Sequence, residues 1–347
     1  MNDKSKEVVI IGATRTPIGK YEGSLKKVKA YQLGSIVIDE VLKRSKIKPD
    51  EIDEIIMGQV LTAGAGQNPA RQAAINAGIP ITKPAYIVNQ VCGSGLRAVI
   101  LGYQSIKLGE ATKVICGGQE NMSLAPHSIF FRGEEKISTD RLVDTMINDG
   151  LIDAFNNYHM GMTAENLAEK YGISREEQDR FAVDSQNKAE KAQAEGRFKE
   201  EIVSLIVKKR REEIVCDTDE YIRRGATFEG MQKLRAAFKK DGSVTAANSS
   251  GINDGAAALV IVSENKLNEL SVEPLAEIVG WGVSGCEPSI MGIGPVQAVK
   301  NALKVSGSSI DDLQLIEANE AFAAQSIAVN KELGWDTNKV NVNGGAI

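Results

Sequence analysis

YIVNQVCGSGLRAVILGYQSIK (86–107) reads as a strand, a tight glycine turn and a helix. Tyr86–Val91 is rich in β-branched and aromatic residues. Gly93 and Gly95 bracket a turn, and Ser94–Lys107 has the length and apolar spacing of a helix. The same alternation runs outward from it. Val8–Gly12 is a short buried strand, Tyr31–Ser45 an amphipathic helix, Glu54–Gly58 a strand, Asn68–Ala77 a helix and Lys113–Cys116 another strand. Strands alternating with helices predict an α/β architecture.

The stretch from about 120 to 250 is richer in charge and predicts an inserted loop domain. It contains a long helix, Arg175–Glu195, started by a capping box of Ser174 and Glu177. From about 272 the early pattern returns. With an offset of 261, VLKRSKIKPDEIDEII (41–56) overlies ALKVSGSSIDDLQLIE (302–317), matching Lys43 with Lys304, Ser45 with Ser306 and Asp50 with Asp311. A match that keeps helix–turn–strand order points to a duplicated unit. On this alignment the strand-like VNVNGG (340–345) is followed by only two residues, so the second copy is expected to be incomplete.

Bulk properties narrow the function classes. A chain of 347 residues, 42% hydrophobic and 25% charged, has room for two domains with substantial cores. A net charge of −5 argues against a broad nucleic-acid surface. The N-terminus carries no secretory pattern, and no apolar run is long enough to span a membrane. Cys92, Cys116, Cys216 and Cys286 form no CxxC pair, so neither a zinc site nor a disulfide framework is expected, and a cytoplasmic, reduced chain follows.

Cys92 carries the chemistry. It lies at the start of a helix, where unpaired N–H groups and the dipole favour a thiolate, and the neighbouring glycines admit a substrate carbonyl. The residues alone leave a buried structural cysteine as the alternative.

VNQVCGSGLRA (88–98) is similar to the nucleophile segment of thiolases. RTPIGKYEGSL (15–25), GGQENMS (117–123), HMGMTAEN (159–166), IRRGAT (222–227), DGSVTAANSSGINDGAAA (241–258), GIGPV (292–296) and NEAFAAQ (319–325) resemble other thiolase segments in the family's order. The resemblance implies a thiolase fold of two duplicated α/β halves with a loop domain. The expected domains are 1–270, including the loop domain at about 120–250, and a C-terminal domain at 272–347.

It implies an acyltransferase of fatty acid metabolism that condenses two acetyl-CoA to acetoacetyl-CoA, or runs the reverse thiolysis. Cys92 would carry the acyl group as a thioester, and Asn319 would help form an oxyanion hole. Met160, Ala321 and Phe322 would line the acyl pocket. His159 would meet the pantetheine arm, and Leu151, Arg223, Phe238, Ala246 and Ser250 would contact coenzyme A. Without the resemblance, a turn cap is the better reading of Asn319, and Arg223 reads equally as a solvated charge. No cofactor or metal is expected, because coenzyme A thioesters are substrates. No nucleic-acid or membrane partner is implied, and a homodimer or homotetramer is.

Thiolases continue beyond the segment matching VNVNGGAI with a Gly-His-Pro motif and a second reactive cysteine. The 347 residues hold neither. The expectation is therefore little or no turnover, with a catalytically dead coenzyme A-binding fragment as the alternative. A ketoacyl-carrier-protein synthase shares the fold and a cysteine nucleophile, but NEAF and the long loop domain argue against it.

Overall fold

Side chains alternate across the strand Glu54–Gly58, and both of its faces are apolar. Ile55 and Met57 join one buried cluster, and Ile56 joins the other. Such a strand has no face left for water and must lie between two layers of helices. Lys113–Asn121 repeats this, with Ile115 on one face and Val114 and Cys116 on the other.

A computed structural model describes residues 7–133, 138–209, 212–267, 269–270 and 272–347. One compact unit takes its residues from 1–150, 200–220 and 252–278. Its main strands are β1 (Val8–Arg15), β2 (Glu54–Gly58), β3 (Ala85–Val88), β4 (Lys113–Asn121), β5 (Leu205–Lys209), β6 (Glu212–Cys216), β7 (Asn253–Ser263) and β8 (Ala276–Glu277), with the two-residue strands Gly19–Lys20, His127–Ser128 and Val143–Asp144 beside them. Its main helices are α1 (Ala30–Ser45), α2 (Pro69–Asn76) and α3 (Ser94–Leu108).

The sheet order is β8-β1-β7-β4-β2-β3. The pairs β4–β2 and β2–β3 are parallel, and β8–β1, β1–β7 and β7–β4 antiparallel. β5 and β6 form a separate antiparallel ribbon. On one face Leu33, Val37 and Val41 of α1 and Ala70, Ala73 and Ala74 of α2 pack on Ile55, Met57, Ile115 and Val260. On the other, Ala98 and Ile106 of α3 pack on Ile56, Val114, Cys116 and Ile261. Every residue of β3 is half-buried, and it forms one edge of the sheet.

The other unit takes residues from 151–199, 221–251 and 279–347. Its main helices are α4 (Met160–Tyr171), α5 (Arg175–Ala194), α6 (Gly294–Ser306) and α7 (Ala323–Leu333). The expected capping box starts α5: Glu177 N–H donates to the Ser174 hydroxyl at 3.1 Å, and Ser174 N–H to the Glu177 carboxylate at 2.7 Å. α7 is buried around most of its circumference and packs against α4, α5 and α6 through Ala323, Ala324, Ala328 and Val329.

The 261-residue offset holds at the level of the backbone. α1 ends at Ser45 with Lys46 left-handed at φ 55°, and α6 ends at Ser306 with Gly307 left-handed at φ 71°. In each copy an acidic residue then caps the turn. Glu51 accepts from Lys48 N–H at 3.0 Å, and Asp312 accepts from Ser309 N–H at 2.8 Å.

The copies then diverge. The counterpart of β2 makes only an isolated parallel bridge, Ile316 with Val340. VNVNGG is not a strand. Asn341 turns left-handed at φ 46°, with its side chain bonded to Ala318 N–H at 2.8 Å, Ala318 C=O at 2.8 Å and Glu320 at 2.7 Å.

Candidate functional site

The strand expected to run to Val91 stops at Val88, three residues early. Val91 sits at φ 48°, and it is exposed. A β-branched side chain in the left-handed region carries roughly 1–3 kcal/mol of backbone strain. The strain is held in place by Ser94. Its hydroxyl donates to the Val91 carbonyl at 2.6 Å and accepts from Gln90 N–H at 2.9 Å. Asn89 adds a third tie, accepting from Val91 N–H at 2.9 Å.

The turn projects Cys92 from the start of α3, and Cys92 is exposed, not buried. That excludes the structural-core alternative. The floor under the turn is tightly built. A Cβ on Gly58 would lie 2.6 Å from the Ser94 carbonyl carbon and 2.8 Å from Gly95 N, so bare backbone at the end of β2 is what lets α3 start there. Gly95 itself faces open space.

The thiol departs from expectation in one respect. Although Cys92 is exposed as a residue, protein around the sulfur displaces water. This burial pushes the thiol above its ordinary value, and a hydrogen bond with its own backbone only partly opposes the shift. Desolvation outweighs the helix terminus. Gly93 N–H is also already committed, donating to Gln90 at 3.0 Å.

On β4, Glu120 accepts from Val60 N–H at 2.8 Å and holds the glycine-containing loop after β2. Burial raises its pKa to about 7, against the pull of the Val60 and Leu61 N–H groups and helped by the charge of Asp254.

The remaining expected residues lie in the other unit, and the fold brings most of them together. Met160, Phe238, Ala321 and Phe322 belong to one apolar cluster with Ala164, Leu167 and Val244. The Phe238 ring stacks on His159 with centroids 4.6 Å apart and planes 20° apart, and meets Phe322 edge-on at 6.1 Å. Leu151 C=O accepts from Met160 N–H at 2.8 Å, and Ser250 N–H donates to Ala321 C=O at 2.9 Å.

His159 caps α4, its Nδ1 accepting from Gly161 N–H at 3.0 Å, and burial lowers its pKa. Ala246 and Ser250 share one loop, with Ala246 exposed. Arg223 is exposed, with its guanidinium 5.6 Å from the Tyr221 ring and its N–H held by Gln186 of α5 at 2.8 Å. Asn319 is exposed, and its amide makes no hydrogen bond among the described residues. A cavity of about 530 Å³ between α5, α7 and residues 337–341 holds none of the expected residues.

Sequence reasoning missed the groups that hold these residues. Glu165, buried on α4, accepts from Ser243 N–H at 2.9 Å, Ser243 Oγ at 3.0 Å and Val244 N–H at 2.8 Å, fixing the loop that carries Ala246 and Ser250. Asp179 of α5 takes Asn248 Nδ2 at 3.0 Å and Arg175 Nε at 2.7 Å. Glu320, beside Asn319, accepts from Ser185 Oγ at 2.6 Å and Asn341 Nδ2 at 2.7 Å. Only Glu165 and Glu320 have a partial sequence signal, each lying beside an alanine, whereas Asp179 sits between Gln178 and Arg180 and has none. Among the described residues no cluster of His, Cys, Asp and Glu is suited to a metal ion, and no helix is long and apolar enough to cross a membrane.

The family profile described as "Thiolase, N-terminal domain" matches residues 8–265, and "Thiolase, C-terminal domain" matches 272–347. A Chromobacterium violaceum protein named acetyl-CoA acetyltransferase is 56% identical over 343 residues, covering 98% of this chain and 88% of the relative. Its Paracoccus denitrificans namesake is 54% identical, covering 98% and 87%. The crystal structure of the Bacillus anthracis acetyl-CoA acetyltransferase superposes with a TM-score of 0.95 at 44% identity, covering 98% of this chain and 86% of that one. The human mitochondrial 3-ketoacyl-CoA thiolase structure gives 0.94 at 43%, covering 99% and 87%. In sequence and in fold, the chain belongs to the thiolase family.

Proposed function

We propose that the chain is an acetyl-CoA acetyltransferase that forms acetoacetyl-CoA from two acetyl-CoA, or cleaves it in reverse, through an acyl thioester on Cys92. The observation that carries this is the exposed Cys92 on a strained, Ser94-braced turn, in a chain 54–56% identical to relatives of that name. The Cys92 sulfur attacks the acetyl carbonyl carbon, the bond to the coenzyme A sulfur breaks, and coenzyme A leaves with the proton as free thiol. A second acetyl-CoA then loses a proton from its methyl carbon. That carbon bonds to the acetyl carbonyl, and Cys92 is released and regains a proton.

Asn319 donates toward the developing oxyanion, a role suited to an exposed amide whose hydrogen bonds are unspent. Met160, Ala321 and Phe322 shape a small apolar acyl pocket. His159, Phe238, Leu151, Ala246 and Ser250 bind the pantetheine arm, and Arg223 meets the adenine and phosphate end, where guanidinium both stacks and pairs. Sequence and family profiles favour a division into domains at 1–270 and 272–347.

The setting is cytoplasmic, which suits four free cysteines. The active form is a homodimer or homotetramer. The half-buried edge strand β3 and the exposed Ile81 and Leu96 near it favour a second copy as partner.

The test is incubation with radiolabelled acetyl-CoA, followed by peptide mapping. Label on the Cys92 peptide, lost in Cys92→Ala, is the expected result. Label spread over Cys116, Cys216 and Cys286, or none, overturns the assignment.

A further inference from the structure

Gly161 is the second residue of α4, and its conformation is helical, so its backbone does not demand glycine. The space does. A Cβ there would overlap the Phe238 ring, with Cδ1 only 2.5 Å away. Glycine inside a helix costs roughly 0.5–1 kcal/mol relative to alanine, and here the close approach of an aromatic ring stands against that cost.

The ring seated on Gly161 is the one that stacks on His159 at 4.6 Å. Gly161 also acts through its N–H, which donates to His159 Nδ1. An Nδ1 that accepts carries no proton, so the neutral ring carries it on Nε2. Nε2 has no hydrogen-bond partner among the described residues. One glycine therefore sets the plane of the imidazole, through Phe238, and its tautomer, through the helix cap. A pKa held down by burial keeps the ring neutral near pH 7.

We propose that Gly161 is a positioning residue: its bare Cα and its N–H hold His159 as a fixed Nε2–H donor to a carbonyl oxygen of the bound coenzyme A thioester. This rests on the acyl-CoA reading of the site. Any side chain at 161 lifts Phe238 off the helix and frees the His159 ring to rotate, so the donor is lost without any change to His159 itself.

His127 and His159 are the only histidines in the chain, so His127→Gln assigns the imidazole signals in proton–nitrogen spectra. The wild type is expected to show His159 as the Nε2–H tautomer. Gly161→Ala is expected to mix the tautomers, raise the His159 pKa toward the ordinary value, and weaken coenzyme A binding about tenfold, the loss of roughly one good hydrogen bond. In a double-mutant cycle, Gly161→Ala adds little to the loss already caused by Phe238→Ala.

Equal weakening for free coenzyme A and acetoacetyl-CoA assigns the acceptor to a pantetheine amide. Weakening for the thioester alone assigns it to the thioester oxygen. An Nδ1–H tautomer in the wild type, unchanged affinity in Gly161→Ala, or full additivity with Phe238→Ala overturns the proposal. If the wild type binds neither ligand, the acyl-CoA reading and the proposed donor role fall together, while the tautomer signal still reports whether Gly161 holds His159.

Discussion

Ser94 braces the strained residue before the nucleophile, donating its hydroxyl hydrogen to the Val91 carbonyl at 2.6 Å. It also accepts from Gln90 N–H, so one buried side chain closes the turn at two points. Removing it leaves a carbonyl short of one donor and an N–H without an acceptor. Ser94→Ala should therefore cost about 1–3 kcal/mol of stability. It should also slow acetylation of Cys92 by acetyl-CoA, while acetylation of a free thiol in the same buffer stays unchanged. Thermal unfolding and rapid-quench labelling measure the two effects, and an unchanged labelling rate would remove Ser94 from the account.

Because burial raises the Cys92 thiol, ionisation comes late. The rate of iodoacetamide labelling at Cys92 should keep rising with pH beyond the ordinary thiol midpoint. A plateau below that midpoint would show that the start of α3 stabilises the thiolate after all. Alkylation followed by peptide mapping across the pH range decides between them.

Glu165 receives three hydrogen bonds from Ser243 and Val244, and so holds the loop bearing Ala246 and Ser250. Glu165→Ala should destabilise by about 2–4 kcal/mol, as expected when a buried charged acceptor is lost. In the folded fraction it should raise KM for acetyl-CoA more than it lowers kcat. Steady-state kinetics below the melting transition test the split.

Glu120 gives a pH dependence of definite sign. Its folded pKa is raised to about 7 from an ordinary 4.5. Between those values the unfolded chain has lost the proton and the folded chain keeps it, so stability from this group is full below about 4.5. It declines as pH rises through about 7 and is flat above. Asp254, also raised by burial, adds a slope of the same sign. Glu120→Gln should flatten the fall in Tm between pH 5 and 8 and leave the protein relatively more stable at pH 8. A steeper fall in the variant would sink this reading.

Much of this was legible in the sequence, for identifiable reasons. α1, α3 and α5 follow from apolar spacing and, at Ser174, from a cap. The 261-residue repeat is matched in the backbone as well, where Lys46 and Gly307, at the same place in it, both turn left-handed. What stayed hidden was set by individual side-chain hydrogen bonds, some local and some remote in sequence. Valine is a strand former, so nothing local marks Val91 as left-handed; Ser94 imposes it. VNVNGG alternates like a strand, but Asn341 spends its amide on Ala318 and Glu320 and bends the chain. The family resemblance named Phe238 and His159, yet not Gly161, whose role exists only once the ring lies on it.

The order of strands sets a timetable for synthesis. β7 lies between β1 and β4 in the sheet, but it is made last of the three, ending at Ser263. Until it leaves the ribosome, β1 has no neighbour on that side and β4 waits with an open edge, though both were translated long before. Pairings this distant in sequence slow folding and leave apolar strand edges bare meanwhile. A nascent chain arrested before β7 should therefore depend on chaperones in a way that one arrested after it does not.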